Sequence, residues 1–193
     1  MSDPISKVFE LLQKKGRGDY IGERITQVEH MIQAAMLAQE RIQKRGELFL
    51  DTNQANSFIV ACLLHDVGNL LDILQMKANN INIGGKDHEI AGANYLRCLG
   101  FNELVCDLVA NHVNAKRYLV ATSNNYQLSE ASAETLKYQG GPMIREEIEK
   151  FKSSVHFKLY LEMRTIDESA KRTDMKLEEL EFFREICSKC LVT

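Results

Sequence analysis

Residues 63–69 read LLHDVGN. The apolar run over 55–64, ANSFIVACLL, delivers two adjacent polar side chains, His65 and Asp66, and then halts at Gly68. An imidazole and a carboxylate at the end of a buried run are costly unless each finds a partner. Those partners have to come from other parts of the chain, so the rest of the sequence is read for them.

Helical periodicity dominates on both sides. Ile5, Val8, Phe9 and Leu12 form one apolar stripe; Val28, Ile32, Ala35 and Met36 form another that continues to Ile42. Asp51, with Gln54 three residues on, reads as the cap of the helix that ends in His65. Gly100 closes HEIAGANYLRCLG, and Asn102 caps a helix through Leu104, Val105, Leu108 and Val109 with His112 in its last turn. Ser129 opens SEASAETLKYQ, which ends at Gly140 and Gly141, and Pro142 is placed for the first turn of the next helix. Long helices are predicted over 155–172, with Asp167 mid-helix, and over 174–190, where Leu180, Phe183, Cys187 and Cys190 share a face. INIGG (81–85) reads as loop, and no segment alternates with period two. The expected fold is all-α, eight or nine helices around one core in a single domain over 1–193.

Composition sets bounds on partners. The chain has 193 residues, 45% hydrophobic and 26% charged, with net charge −3 and no basic stripe, so nucleic acid is a poor partner. No apolar run approaches the roughly 20 residues of a membrane span. The first residues lack the basic-then-apolar order of a signal peptide. A cytoplasmic protein is expected. Its five cysteines do not suggest a disulfide framework, and Cys187 and Cys190 read as buried thiols.

The histidines supply the partners. His30 lies in a long helix, His88 opens one, His112 ends one, and Asp167 sits behind Leu159, Tyr160 and Met163. An HD dipeptide alone is common and says little. The ordered set His30, His65–Asp66, His88, His112, Asp167 says more, because side chains from separate helices can converge on a metal in a bundle core. His156 reads as structural or exposed.

This set resembles the HD-domain superfamily of metal-dependent enzymes, with its H…HD…D pattern. The resemblance implies one metal on His30, His65, Asp66 and Asp167, a second on His88 and His112, and Asp66 bridging. Three further stretches are similar to the HD-domain diiron oxygenases that cleave the carbon–phosphorus bond of 2-amino-1-hydroxyethylphosphonate. They are DYIGERITQVEHMIQAA with Tyr20 and Glu23, NHVNAKRY with Lys116 one turn after His112, and LSEASAETLKYQGGPM with Ser132 and Thr135. By that resemblance the cofactor is a mixed-valent Fe(II)/Fe(III) pair with O2 as co-substrate, and a small organophosphonate gives phosphate and an amino acid. Tyr20 would ligate the second iron until substrate arrives. Glu23 would take the substrate ammonium, and Lys116, Ser132 and Thr135 the phosphonate. Where such relatives carry a second histidine after the motif, this chain has Asn69, a shorter and uncharged donor. Simpler readings stand beside these: Tyr20 and Glu23 as helix caps, Ser132 and Thr135 as surface residues, Lys116 as a solvated side chain. The alternative activity is a dinuclear phosphohydrolase or phosphodiesterase, which the same ligands permit.

Overall fold

Asp3 opens the chain's first helix, its carboxylate accepting from the backbone N–H groups of Ile5 and Ser6, with Pro4 at the first helical position. The computed structural model describes residues 3–20, 23–45, 48–49, 51–71 and 87–192. Among them lie nine α-helices: α1 Pro4–Lys15, α2 Gln27–Lys44, α3 Thr52–Leu64, α4 His88–Cys98, α5 Glu103–Thr122, α6 Glu130–Tyr138, α7 Arg145–Lys152, α8 Phe157–Ser169 and α9 Arg184–Ser188. Two 3-10 turns, Val67–Leu70 and Leu180–Phe183, join them. The β-bridges among the described residues are two isolated ones, Asp19 with Thr26 and Phe101 with Leu191. The fold is all-α. The INIGG stretch, and Ile21 and Gly22 of the YIGE segment, fall outside the described residues.

Sequence signals set most helix starts. Thr26 and Glu29 make a reciprocal capping box at α2. Asp51 accepts from Gln54 N–H at 2.8 Å, Asn102 from Val105 N–H at 3.0 Å, and Ser129 from Ser132 N–H at 3.3 Å. Gly100, Gly140 and Gly141 take the positive φ that ends α4 and α6.

Helices α2, α3, α5 and α8 pack on one another around the centre, with α4 against α5. The core runs from Phe9 and Leu12 of α1 through Phe58, Leu63, Leu108 and Met163 to Phe183 and Cys187. The five cysteines form no disulfide with one another; Cys187 and Cys190 lie in that core together with Leu180 and Phe183.

Four boundaries differ from expectation. The helix predicted over 174–190 is non-helical chain to residue 179, then a 3-10 turn and the short α9. The helix predicted over 155–172 spans Phe157–Ser169, which puts Asp167 in its last turn. Contacts with α2 accompany both: the Gln33 amide bonds Arg172 N–H and C=O at 2.9 and 2.8 Å just past the end of α8, and Glu178 N–H goes to Met36 Sδ at 3.4 Å. His112 lies in the middle of α5, because nothing between it and Thr122 breaks the helix. Pro142 does not start α7. Arg117 bonds the carbonyl of Gly141 and the Glu147 carboxylate, Glu147 accepts from Ile144 N–H, and the helix begins at Arg145.

Gly68 proves to be a packing position. A Cβ there would stand 1.9 Å from the His88 carbonyl oxygen, and one on Gly92 would stand 3.0 Å from Gly68 N. The two glycines let the turn after Asp66 lie directly on the first turn of α4. Gly68→Ala is therefore expected to destabilise the protein by roughly 3 kcal/mol through overpacking. Gly100→Ala, at φ +88° but with open space around it, should cost about 1 kcal/mol. Urea unfolding measures both, and equal small losses would show that α4 does not need this close approach.

Candidate metal centre

The HD pair sits where α3 gives way to the 3-10 turn: His65 is the last α-helical cap and Asp66 precedes Val67. His30 arrives from the first turn of α2, Asp167 from the last turn of α8, His88 from the start of α4 and His112 from mid-α5. All but His88 are buried.

Their atoms fall into two groups that share one carboxylate. His30 Nε2 lies 3.0 Å from His65 Nε2, 3.3 Å from Asp167 Oδ1 and 3.9 Å from Asp66 Oδ2; His65 Nε2 lies 3.6 Å from Asp66 Oδ2 and 3.7 Å from Asp167 Oδ1. In the second group His88 Nε2 is 3.1 Å from both His112 Nε2 and Asp66 Oδ1, and His112 Nε2 is 3.7 Å from that oxygen. Asp66 thus turns one oxygen to each group.

The far sides of the rings decide what the near sides can do. The Nδ1 atoms of His30, His65 and His112 lie 2.8 Å from the carbonyls of Ala170, Cys62 and Val109. A carbonyl only accepts, so each Nδ1 keeps its proton and each Nε2 offers a lone pair. Two such lone pairs facing each other at 3.0 Å, beside two carboxylates, repel unless a cation lies among them. Separations of 3.0–3.9 Å are those of atoms about 2 Å from a shared centre. The donor set fits two metal ions.

The electrostatics agree. Burial works against ionising Asp66, but His65, His88 and His112 outweigh it and hold its pKa far below the usual range. Asp167 is likewise held low against burial by the Arg164 guanidinium. Burial disfavours charge on His65, yet Asp66 and Asp167 raise its pKa to about 9, so the carboxylates call for a positive charge at its Nε2, be it a proton or a metal ion. His112 falls to about 3 through burial and the neighbouring His88 and His65.

A cavity of about 430 Å³ opens beside the centre, lined by Asp66, His88, His112 and Asp167 together with Tyr20, Asn69, Lys116, Ser132 and Thr135. The Tyr20 ring stacks on His30 with centroids 4.1 Å apart. Buried Lys116 donates to Thr135 Oγ1 at 3.0 Å; burial and then Arg164 lower its pKa to about 8. Asn69 is exposed. Neither Tyr20 nor Glu23 caps α2, since Thr26 does. Glu23 is set apart from the other expected site residues: it is not among the cavity's lining, and its carboxylate lies 3.7 Å from Lys171 Nζ. His156 binds Asp107 at 2.9 Å on the other side of α5's middle, a structural contact.

Two charged cavity residues were not singled out from the sequence. Arg164, fully buried, bonds Asp167, Glu168 and the Tyr126 hydroxyl. Lys171 bonds Ser129 and Ser132 hydroxyls at 2.8 and 3.2 Å and Glu168 at 3.1 Å. The signal was the spacing in RTIDESAK, which sets Arg164 one turn before Asp167 and Glu168.

Metal titration of the chelated protein should give two ions per chain. His112→Ala is expected to leave one, and Asp66→Ala to lower affinity at both positions by at least tenfold. Elemental analysis after dialysis reads this; two tightly held ions in Asp66→Ala would refute a shared carboxylate.

The HD-domain family model matches residues 28–173. A [1-hydroxy-2-(trimethylamino)ethyl]phosphonate dioxygenase (glycine-betaine-forming) of Leisingera caerulea is 37% identical over 168 residues, 86% of this chain and 79% of that protein. A hydroxymethylphosphonate dioxygenase of Gimesia maris is 31% identical over 189 residues, 97% of this chain and 88% of that protein. An uncharacterised protein, L432, of Acanthamoeba polyphaga mimivirus is 35% identical over 184 residues, 94% and 79% of the two chains. With its own convergent His/Asp donors and these relatives, the chain belongs to the HD-domain family and, within it, to the group of metal-using oxidoreductases that contains these dioxygenases.

Proposed function

We propose that the protein is a diiron oxygenase that cleaves the carbon–phosphorus bond of a 1-hydroxyphosphonate with O2, giving phosphate and a carboxylic acid. The observation that carries this reading is the shared Asp66 carboxylate beside a small cavity with buried cations. His30, His65, Asp66 and Asp167 would hold one iron and His88, His112 and Asp66 the other, with Tyr20 close enough to the cavity to serve as an exchangeable ligand. The iron pair would supply Lewis acidity toward the hydroxyl and phosphonate oxygens and the redox chemistry for O2. The balance needs one O2: C1 loses its hydrogen and its bond to phosphorus, and the carboxylate and the phosphate each gain one oxygen.

The chain's own residues do the binding. Lys116, with Thr135 and Ser132 beside it, offers a charge-assisted donor and hydroxyls to a phosphonate dianion. The Asn69 amide adds a neutral donor. Arg164 holds Asp167 by its outer oxygen, so the inner one stays aimed at His30 and His65. Burial of this set keeps water from competing with the anion.

Anaerobic loading with iron, followed by O2 and a panel of 1-hydroxyphosphonates, should give phosphate release matched one to one by oxygen uptake. No oxygen uptake across the panel would sink the reading. Turnover of bis-p-nitrophenyl phosphate with Mn²⁺ or Mg²⁺ without oxygen would favour the hydrolase instead.

Lys116 also predicts a pH dependence. With its pKa lowered to about 8, the free enzyme loses this cation as pH rises through 8, and kcat/KM should fall there. A bound dianion holds the proton on, so kcat should fall only at higher pH. Lys116→Met should raise KM at least tenfold and abolish the break near pH 8; a break that persists would mean that another group titrates.

A further inference from the structure

Resting on the hydroxyphosphonate reading, we infer that Arg117 is a positioning residue: it clamps the Gly140–Gly141 turn and thereby holds the α6 wall of the cavity, with Thr135 and Gln139, against Lys116. Helix α6 has little apolar burial to hold it. Of its nine residues only Ser132 and Leu136 are buried, and Leu136 lies outside the hydrophobic core. Yet Ala131, Ser132, Thr135 and Tyr138 of this helix, with Gln139 after it, form one side of the cavity. A wall with so little core beneath it depends on polar contacts at its ends.

The N-terminal end is tied toward α8: Ser129 N–H donates to Glu168 at 3.1 Å, and Lys171 donates to the Ser129 and Ser132 hydroxyls. The C-terminal end is tied to Arg117. Its Nε donates to the Gly141 carbonyl at 2.9 Å and its Nη2 to the Glu147 carboxylate at 2.8 Å, while Met143 N–H returns to the Arg117 carbonyl at 3.3 Å. A Cβ on Gly140 would stand 3.3 Å from Arg117 Nη2 and 3.4 Å from both Cζ and Nε, so the guanidinium lies flat against the turn. Arg117 does not itself line the cavity. It follows Lys116 on α5, about 100° round the helix, so the two neighbours leave α5 in different directions. Lys116 meets α6 at Thr135, and Arg117 meets the turn that ends it. A lysine at 117 would keep the charge but lack the fork that reaches a carbonyl and a carboxylate together. Without the clamp α6 drifts from Lys116 and water enters the space where the anion is held. The His and Asp donors of the metal centre stand on α2, α3 and its following turn, α4, α5 and α8, not on α6. Loss of the clamp therefore weakens the anion site and spares the metals.

The test uses the iron-loaded full chain with Arg117→Lys, and Gly140→Ala as a second variant whose added Cβ presses on the guanidinium from the other side. For the 1-hydroxyphosphonate that the wild type turns over fastest, both should raise KM about tenfold with kcat within about threefold, the mark of lost uniform binding. Iron content should stay at the wild-type level. The break in kcat/KM near pH 8 should also move upward, because Lys116, which faces Arg164, Asp167 and Glu168 of α8 and Asp66, would lose part of the burial that lowers its pKa. A merely structural Arg117 would reduce the amount of active protein and leave KM and the break in place. An unchanged KM overturns the inference, whatever happens to kcat or iron content; if Arg117→Lys does not fold, Gly140→Ala decides. If no 1-hydroxyphosphonate is turned over, the oxygenase reading fails, and anaerobic calorimetric titration with hydroxymethylphosphonate still decides the role of Arg117. A Kd about tenfold weaker in the variants supports it; equal Kd values, or no binding by the wild type, refute it.

Discussion

One buried carboxylate organises this molecule. Asp66 turns Oδ2 toward His30 and His65 and Oδ1 toward His88 and His112. An ionised carboxylate in a helical core is tolerable only if cations or donors meet both of its oxygens. Here four imidazoles from four elements surround both oxygens, each with its Nε2 turned inward. Three of those rings are fixed by backbone carbonyls on their outer side, which leaves the inner nitrogen as an acceptor and the whole cluster in want of positive charge. The packing follows from that need. The chain leaves α3 at His65, and Gly68 and Gly92 bring α4 close enough for His88 to reach the same carboxylate.

The cavity side is tied to the metal side through α5 and α8. On α5, His112 and Lys116 are one turn apart, so the same rigid rod presents a candidate metal donor and a buried ammonium to one space. On α8, Arg164 and Asp167 are likewise a turn apart, and the guanidinium fixes the carboxylate while also reaching Glu168 and Tyr126. A change at the outer end of the cavity thus reaches Asp167 through a single side chain. The segments flanking the family match at 28–173 take part in the same core: Phe9 and Leu12 on one side, Phe183 and Cys187 on the other.

Much of this was legible in the amino-acid order. The all-α class, the caps Asp51, Asn102 and Ser129, and the stop at Gly100 are written in local chemistry, since a cap needs only a side chain and a backbone N–H a few residues away. The six His and Asp donors stood out because their residue types are expensive to bury. Arg164 and Lys171 did not stand out, because a basic residue on a helix is usually solvated and only the fold turns these two inward. The helix expected over 155–172 stopped short for a related reason: Gln33, some 140 positions earlier, takes the backbone of Arg172.

The sequence by itself determined which side chains are able to hold metal, and the helices that carry them, because both depend on residue type and short-range spacing. Tertiary structure alone decided how they are shared. It divided the donors into two groups around Asp66, placed Gly68 against His88, and set the Glu23 carboxylate against Lys171 instead of into the cavity. Those outcomes depend on distances between elements far apart in the chain, and no local pattern encodes such distances. The physical reason is that a charge is satisfied by whatever lies within a few ångströms of it in the folded state, and the fold chooses those neighbours.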